Sequence, residues 1–117
     1  MPDDFTGYLV DTDVLLRELA ARGVRPSHPV IHADHVTYKG QGRAPEARTI
    51  TVVGVTGTDE LDCAVVTVDG ASDRPDGSTF HITLSTAPGV HGRQANAVLA
   101  TTPVEPIEPF EVPFRRV

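Results

Sequence analysis

Apolar and polar positions along the chain set out a short series of strands and helices. Residues 5–10, Phe-Thr-Gly-Tyr-Leu-Val, form an apolar run suited to an opening strand. Asp11-Thr12-Asp13 then supplies N-cap chemistry and acidic charge for a helix start. Leu15, Leu16, Leu19 and Ala20 recur on one helical face, and Gly23 and Pro26 end the run. A helix is predicted over residues 13–22. A strand follows near residues 31–38, and residues 40–47 carry loop chemistry. Residues 48–55 alternate as a strand, residues 57–60 turn, and residues 61–68 return, which reads as a β-hairpin. Residues 69–78 hold glycine, proline and aspartate and read as a surface loop. Another strand is predicted over 79–85 and a short helix over 94–100. Short turns between successive strands favour an antiparallel sheet.

The last fifteen residues have a pattern of their own. Pro103-Val104-Glu105, Pro106-Ile107-Glu108 and Pro109-Phe110-Glu111 repeat with a period of three. That period matches a polyproline II helix, in which Val104, Ile107 and Phe110 would form a docking stripe for a protein partner. The reading favoured here is an extended, proline-blunted edge segment packed on its own domain. The expected fold is therefore α+β: one antiparallel sheet, two helices on one face and a polar cleft on the other. Residues 1–117 make a single domain whose residues 103–117 form an extended proline-rich tail.

Two strands share one pattern that a buried sheet does not require. His35-Val36-Thr37-Tyr38 and His81-Ile82-Thr83-Leu84 are both His-apolar-Thr-apolar. Strand alternation puts His35 with Thr37, and His81 with Thr83, on one face, and the apolar residues on the other. Lys39 and Ser85 extend these polar rows. Two imidazoles can straddle one phosphorus centre, one accepting the proton of the attacking oxygen and one donating to the leaving oxygen. An ordinary pKa of about 6.5 suits histidine to both roles. The Thr hydroxyls can bond non-bridging phosphate oxygens. Which histidine is acid and which is base stays open at this level. Arg93, in the adaptable loop after the second row, and Lys39 are candidates to hold phosphate. Tyr8 is a candidate to stack on a base.

These paired motifs resemble the signature of the 2H phosphoesterase superfamily. The matching segments are Asp34-His35-Val36-Thr37-Tyr38 and Phe80-His81-Ile82-Thr83-Leu84-Ser85. The chain looks most similar to the small cyclic phosphodiesterase domains of tRNA ligases and related RNA-repair proteins. There too, a strand and a helix precede the first motif, and a loop and a helix follow the second. The resemblance implies metal-independent hydrolysis of a 2′,3′-cyclic phosphate or another nucleotide or RNA phosphodiester. It implies His35 and His81 as the acid/base pair, Thr37 and Thr83 as phosphate holders, and no cofactor. A non-catalytic module that binds a nucleotide or RNA end in the same cleft is the alternative.

Composition sharpens the substrate. The 117 residues carry 16 acidic and 10 basic side chains, a net charge of −6, and no Trp. A long nucleic acid is therefore not expected as partner, because its backbone demands a basic face. A small nucleotide or a terminal RNA phosphate needs only a local positive site. Cys63 is the only cysteine and sits in an apolar run, where a buried core thiol is expected. His28, His32 and His35 lie close in sequence, but Pro26 and Pro29 disrupt a helical ligand spacing, so no metal site is assigned. The N-terminal residues show no basic and apolar leader pattern, and no membrane-spanning run is visible. A cytoplasmic setting is the expectation.

Overall fold

The computed structural model describes residues 6–117 and contains two helices and two antiparallel sheets, an α+β fold. Phe5, expected to begin the first strand, lies outside the described residues. The strands are β1 (Gly7–Val10), β2 (Val30–Ile31), β3 (His35–Thr37), β4 (Ile50–Gly57), β5 (Leu61–Val68), β6 (His81–Thr86), β7 (Glu105–Glu111) and β8 (Phe114–Arg116). The helices are α1 (Thr12–Ala21) and α2 (Ala95–Thr101), the latter preceded by a 3-10 turn over Gly92–Gln94. The larger sheet runs β2-β6-β5-β4-β7, and the smaller runs β3-β1-β8. No helix among the described residues is long and apolar enough to cross a membrane.

Local chemistry explains the opening elements. Asp11 caps α1 by accepting from the Val14 N–H at 3.1 Å. At the other end, Gly23 takes φ +79°, and the Gly23 and Val24 N–H groups donate to the Ala20 and Leu19 carbonyls. Leu15 and Leu19 are fully buried, each contributing about 1.5–3 kcal/mol of apolar transfer free energy. They join Tyr8, Val36, Ile50, Val52, Ala64, Val66, Ile82 and Leu84 in the main core.

Three features differ from expectation. First, there are two sheets, because the strand expected over 31–38 is broken. Its first part pairs with β6, Val30 opposite Thr86 and Ile31 opposite Ser85. The His32 and Ala33 N–H groups still donate to the Leu84 and Thr83 carbonyls of β6. Ala33 then takes φ +55°, and the chain leaves β6 to pair with β1, His35 opposite Leu9 and Thr37 opposite Gly7. The Thr12 hydroxyl holds the switch by donating to the Ala33 carbonyl at 2.7 Å.

Second, the two helices do not share a face. Leu15 and Leu19 of α1 pack in the cluster that contains Ala64 and Val66. Ala95 of α2 packs with Leu61 and Cys63, which alternate with those residues along β5 and so face the opposite way. The cause is the nearly continuous apolar run of β5, at the centre of its sheet, which needs cover on both sides. Third, β8 closes the smaller sheet against β1, a pairing the tail sequence does not announce.

The tail repeat is a sheet edge, as favoured. β7 pairs with β4, and the register slips between Val52 and Gly54, where Ile107, Glu108 and Pro109 pass without partners on β4. Strand geometry prevents a three-residue repeat from presenting one stripe. Phe110 is buried in the main core under the Arg22 guanidinium, Ile107 packs against that core, and Val104 is exposed.

Candidate active site

The two motifs lie where the two sheets part. β3 and β6 belong to different sheets, and the segment joining β2 to β3 is bonded to β6 up to Ala33 and Thr83. Beyond that point the strands separate into a wedge. A cavity of about 380 Å³ occupies it, lined by His35, Thr37 and Lys39 on one wall and His81 and Thr83 on the other. His32, Arg74, His91, Gly92, Arg93 and Asn96 complete the lining. A larger open groove, about 690 Å³, runs along residues 46–50 and 111–116 and contains none of the motif residues. The smaller cavity is the candidate site because both motif rows converge there.

Each histidine is held by its Nδ1. His81 Nδ1 lies 3.0 Å from the Thr79 carbonyl oxygen, which can only accept, so Nδ1 carries the proton and Nε2 carries the lone pair. Burial pushes the His81 pKa below its ordinary 6.5, partly opposed by the Thr79 bond, and the positive Arg74 and His35 push it down further. His35 Nδ1 lies 2.8 Å from Asp34 Oδ1, so this ring also keeps its proton on Nδ1. When the ring is protonated the two form an ion pair. Both residues are half-buried; His81 is held by a carbonyl and His35 by a carboxylate.

Thr83 is 8% exposed, and Thr37 is half-buried on the facing wall. Among the described residues neither hydroxyl is committed to a protein hydrogen bond. Gly92 passes over the second row, where a Cβ would stand 3.9 Å from Thr83 Oγ1. Among the described residues the lining contains Lys39, Arg74 and Arg93 and no Asp or Glu. In a protein of net charge −6, the described walls of this cavity thus carry positive fixed charges.

Lys39 does line the cavity, but from a position just past β3 with φ +56°. This left-handed conformation costs a side-chain-bearing residue about 1–2 kcal/mol. Replacing Lys39 by glycine should hold or raise stability, by no more than about 1 kcal/mol, in denaturant unfolding. The same variant should raise KM for a phosphate ester by about 3- to 10-fold if Lys39 steadies phosphate. An unchanged KM would remove Lys39 from the site.

Two expected site residues are elsewhere. Ser85 does not continue the His81–Thr83 row, because a β-bulge falls at Leu84: Thr83 pairs with Cys63, while Ser85 pairs with Asp62. The extra residue turns Ser85 to the other face. There its buried hydroxyl donates to Asp62 Oδ1 and accepts from the His28 N–H. Thr86 takes the vacated direction and meets His32 Nε2 at 3.0 Å. Tyr8 is fully buried: it stands opposite Val36, its ring meets Phe114 edge-on, and its hydroxyl donates to the Pro45 carbonyl at 2.7 Å. It belongs to the core and is not a stacking surface of this cavity.

Sequence reasoning placed Arg93 and His91 in a loop able to cover the site, and both line it, but it missed His32, Arg74 and Asn96. The bulge that admits His32 leaves no mark in the sequence. Arg74 comes from the segment read as a surface loop. The histidines of residues 28–35 disperse: His28 Nε2 meets the Thr58 carbonyl, His32 meets Thr86 and His35 meets Asp34. Cys63 is buried with its thiol pKa pushed up to about 12 by desolvation, so it is an inert core residue.

No family model matches the chain, and no curated protein or solved structure matches it. The functional reading therefore rests on the residues and geometry of the cavity itself.

Proposed function

We propose that the protein is a phosphoesterase of the 2H type, hydrolysing a 2′,3′-cyclic phosphate or another small nucleotide phosphodiester without a metal. The observation that carries this reading is the meeting of both His-x-Thr rows at one cavity with positive fixed charges. In this mechanism His81 is the general base. Its Nε2 takes a proton from the attacking water as the oxygen–phosphorus bond forms. His35, protonated, gives its proton to the leaving ribose oxygen as that phosphorus–oxygen bond breaks. One proton enters the site's base and one leaves its acid, and solvent exchange resets the pair. Thr37 and Thr83 donate to the non-bridging oxygens, where negative charge grows in the transition state.

Assigning the base to His81 follows from its environment. A neutral imidazole with a protonated Nδ1 has its lone pair only on Nε2. The depressed pKa keeps that lone pair available through neutral pH. The cavity's size and the chain's net charge of −6 favour a small or terminal phosphate over a polynucleotide backbone.

The pH dependence of kcat/KM on a nucleoside 2′,3′-cyclic phosphate tests the assignment, in buffer containing EDTA. Activity is expected to fall on an acid limb below pH 6.5, where His81 gains its proton. The same shift acts on stability. A folded pKa below the unfolded value makes stability fully present above about pH 6.5 and lost as pH falls toward the folded pKa. His81→Gln should therefore weaken less than wild type on acidification. An acid limb above pH 6.5, or activity abolished by EDTA, would overturn the mechanism.

A further inference from the structure

We propose that Arg74 is an anion-binding residue of this cavity and that its guanidinium takes the non-bridging oxygens of the ligand's phosphoryl group. The assignment rests on the phosphoesterase reading only for the kind of phosphate; the binding itself can be measured without turnover.

Arg74 is 4% exposed. A side chain of this type is almost never so buried unless paired, because an unpaired ion loses several kcal/mol of solvation there. Its partners supply only part of the pairing, since its ion pair with Asp76 is long. Nε donates to Ser78 Oγ at 2.7 Å and Nη2 donates to Asn96 Oδ1 at 2.8 Å, both neutral acceptors. Among the described residues its ion-pair partner is Asp76, with Oδ1 3.8 Å from Nε. That same Asp76 oxygen already accepts from the Ser78 hydroxyl and the Ser78 N–H.

The remaining edge of the guanidinium faces open space. Nη1 has no hydrogen bond among the described residues. No buried polar side-chain atom there lacks a partner, so Nη1 keeps some exposure, and Arg74 lines the cavity. His81, at whose lone pair the proposed reaction begins, lies within the field of this guanidinium. Burial holds the Arg74 pKa below its ordinary value, and a guanidinium keeps its charge in proteins.

The surroundings make Arg74 a fixed fork. A tight turn closes on it, the Gly77 N–H donating to the Arg74 carbonyl at 2.9 Å with Gly77 at φ +87°. Ser78 anchors the Nε edge from the loop, and Asn96 anchors Nη2 from α2. Two donors are thus spent on orientation, and one edge is left for a ligand. Phosphate suits it: a planar guanidinium meets two oxygens of one phosphoryl group more strongly than a single neutral acceptor. Thr83 and His81 line the same cavity, so the phosphoryl group between the two histidines is the one within reach.

Calorimetric titration of the full chain with adenosine 2′-monophosphate and adenosine 3′-monophosphate tests the assignment, with inorganic phosphate as a third probe. Wild type is expected to bind at least one monophosphate saturably. Arg74→Gln should weaken it by about tenfold or more. Arg74→Lys should not restore it, because one ammonium cannot keep Ser78, Asn96 and the ligand together. Asn96→Ala removes only one anchor and should cost less, about two- to fivefold. It keeps the assignment open to refutation if the Arg74 variants fail to fold. Wild-type affinity in a folded Arg74→Gln or Asn96→Ala protein would overturn the assignment, as would absence of saturable binding by wild type. If wild type turns over no cyclic phosphate yet Arg74→Gln loses monophosphate affinity, Arg74 keeps its role and the hydrolase reading falls. If wild type is active and Arg74→Gln keeps both KM and affinity, the hydrolase reading stands and the Arg74 assignment falls.

Discussion

Replacing His81 by alanine is expected to lower turnover of a nucleoside 2′,3′-cyclic phosphate by about 10²–10⁴-fold while the fold survives. The size follows from the role: a positioned base contributes that factor when it accepts the proton in the transition state. The survival follows from the packing. His81 points into the cavity and not into the main core, where its neighbours Phe80 and Ile82 lie. Loss of its one hydrogen bond, to the Thr79 carbonyl, should cost about 1 kcal/mol, which denaturant unfolding can read. His35→Ala should cost a comparable factor in turnover, since acid and base act in the same step. Its ring is more exposed, so stability should move less. Full activity in either folded variant would remove that histidine from the chemistry.

Gly7→Ala is expected to be among the most damaging single changes to the fold, at about 2–4 kcal/mol. A Cβ at Gly7 would stand 2.0 Å from the Val36 carbonyl oxygen and 3.1 Å from Thr37 Cα. Both atoms are backbone, so no rotamer change relieves the clash. Either β1 withdraws from β3 or β3 moves. Val36 separates His35 from Thr37, so the displaced strand is the first motif itself. Activity in Gly7→Ala should thus fall further than its unfolded fraction explains, under conditions where far-UV circular dichroism shows the protein folded. Wild-type stability would show that β1 and β3 do not approach as described.

The residues show why some of this was legible in the sequence and some was not. The cap at Asp11, the stop at Gly23 and the hairpin around residues 57–60 are local chemistry, and the structure follows them. The alternation in His35–Tyr38 and His81–Leu84 is also local, and it placed four side chains on the right faces. Ser85 failed for one reason: period-two counting assumes an unbroken strand, and a bulge at Leu84 reverses every facing beyond it. The burial of Tyr8 is not legible because its strand is apolar on both sides, so alternation has nothing to distinguish.

Arg74 was hidden by a compositional habit. The segment 69–78 has the glycine, proline and aspartate content of an exposed loop, and most of it is exposed. Nothing local signals that one guanidinium folds inward to meet Asn96, which lies 22 residues later. The division into two sheets has the same non-local origin. Ala33 adopts a left-handed conformation that alanine does not advertise, fixed by Thr12 from another element. The opposed helices follow from the apolar run of β5, which was visible but was read for strand content and not for the two faces it would need covered.

In the proposed reaction His35 and His81 act together on one phosphorus. Phosphorus NMR of the full-length chain with a nucleoside 2′,3′-cyclic phosphate, in EDTA, tests it most directly. The cyclic phosphate signal is expected to give way to one monoester signal at a rate proportional to protein concentration, and to persist in the His35→Ala and His81→Ala proteins. A cyclic signal that persists with folded wild-type protein, or that decays equally with both variants, would contradict the claim.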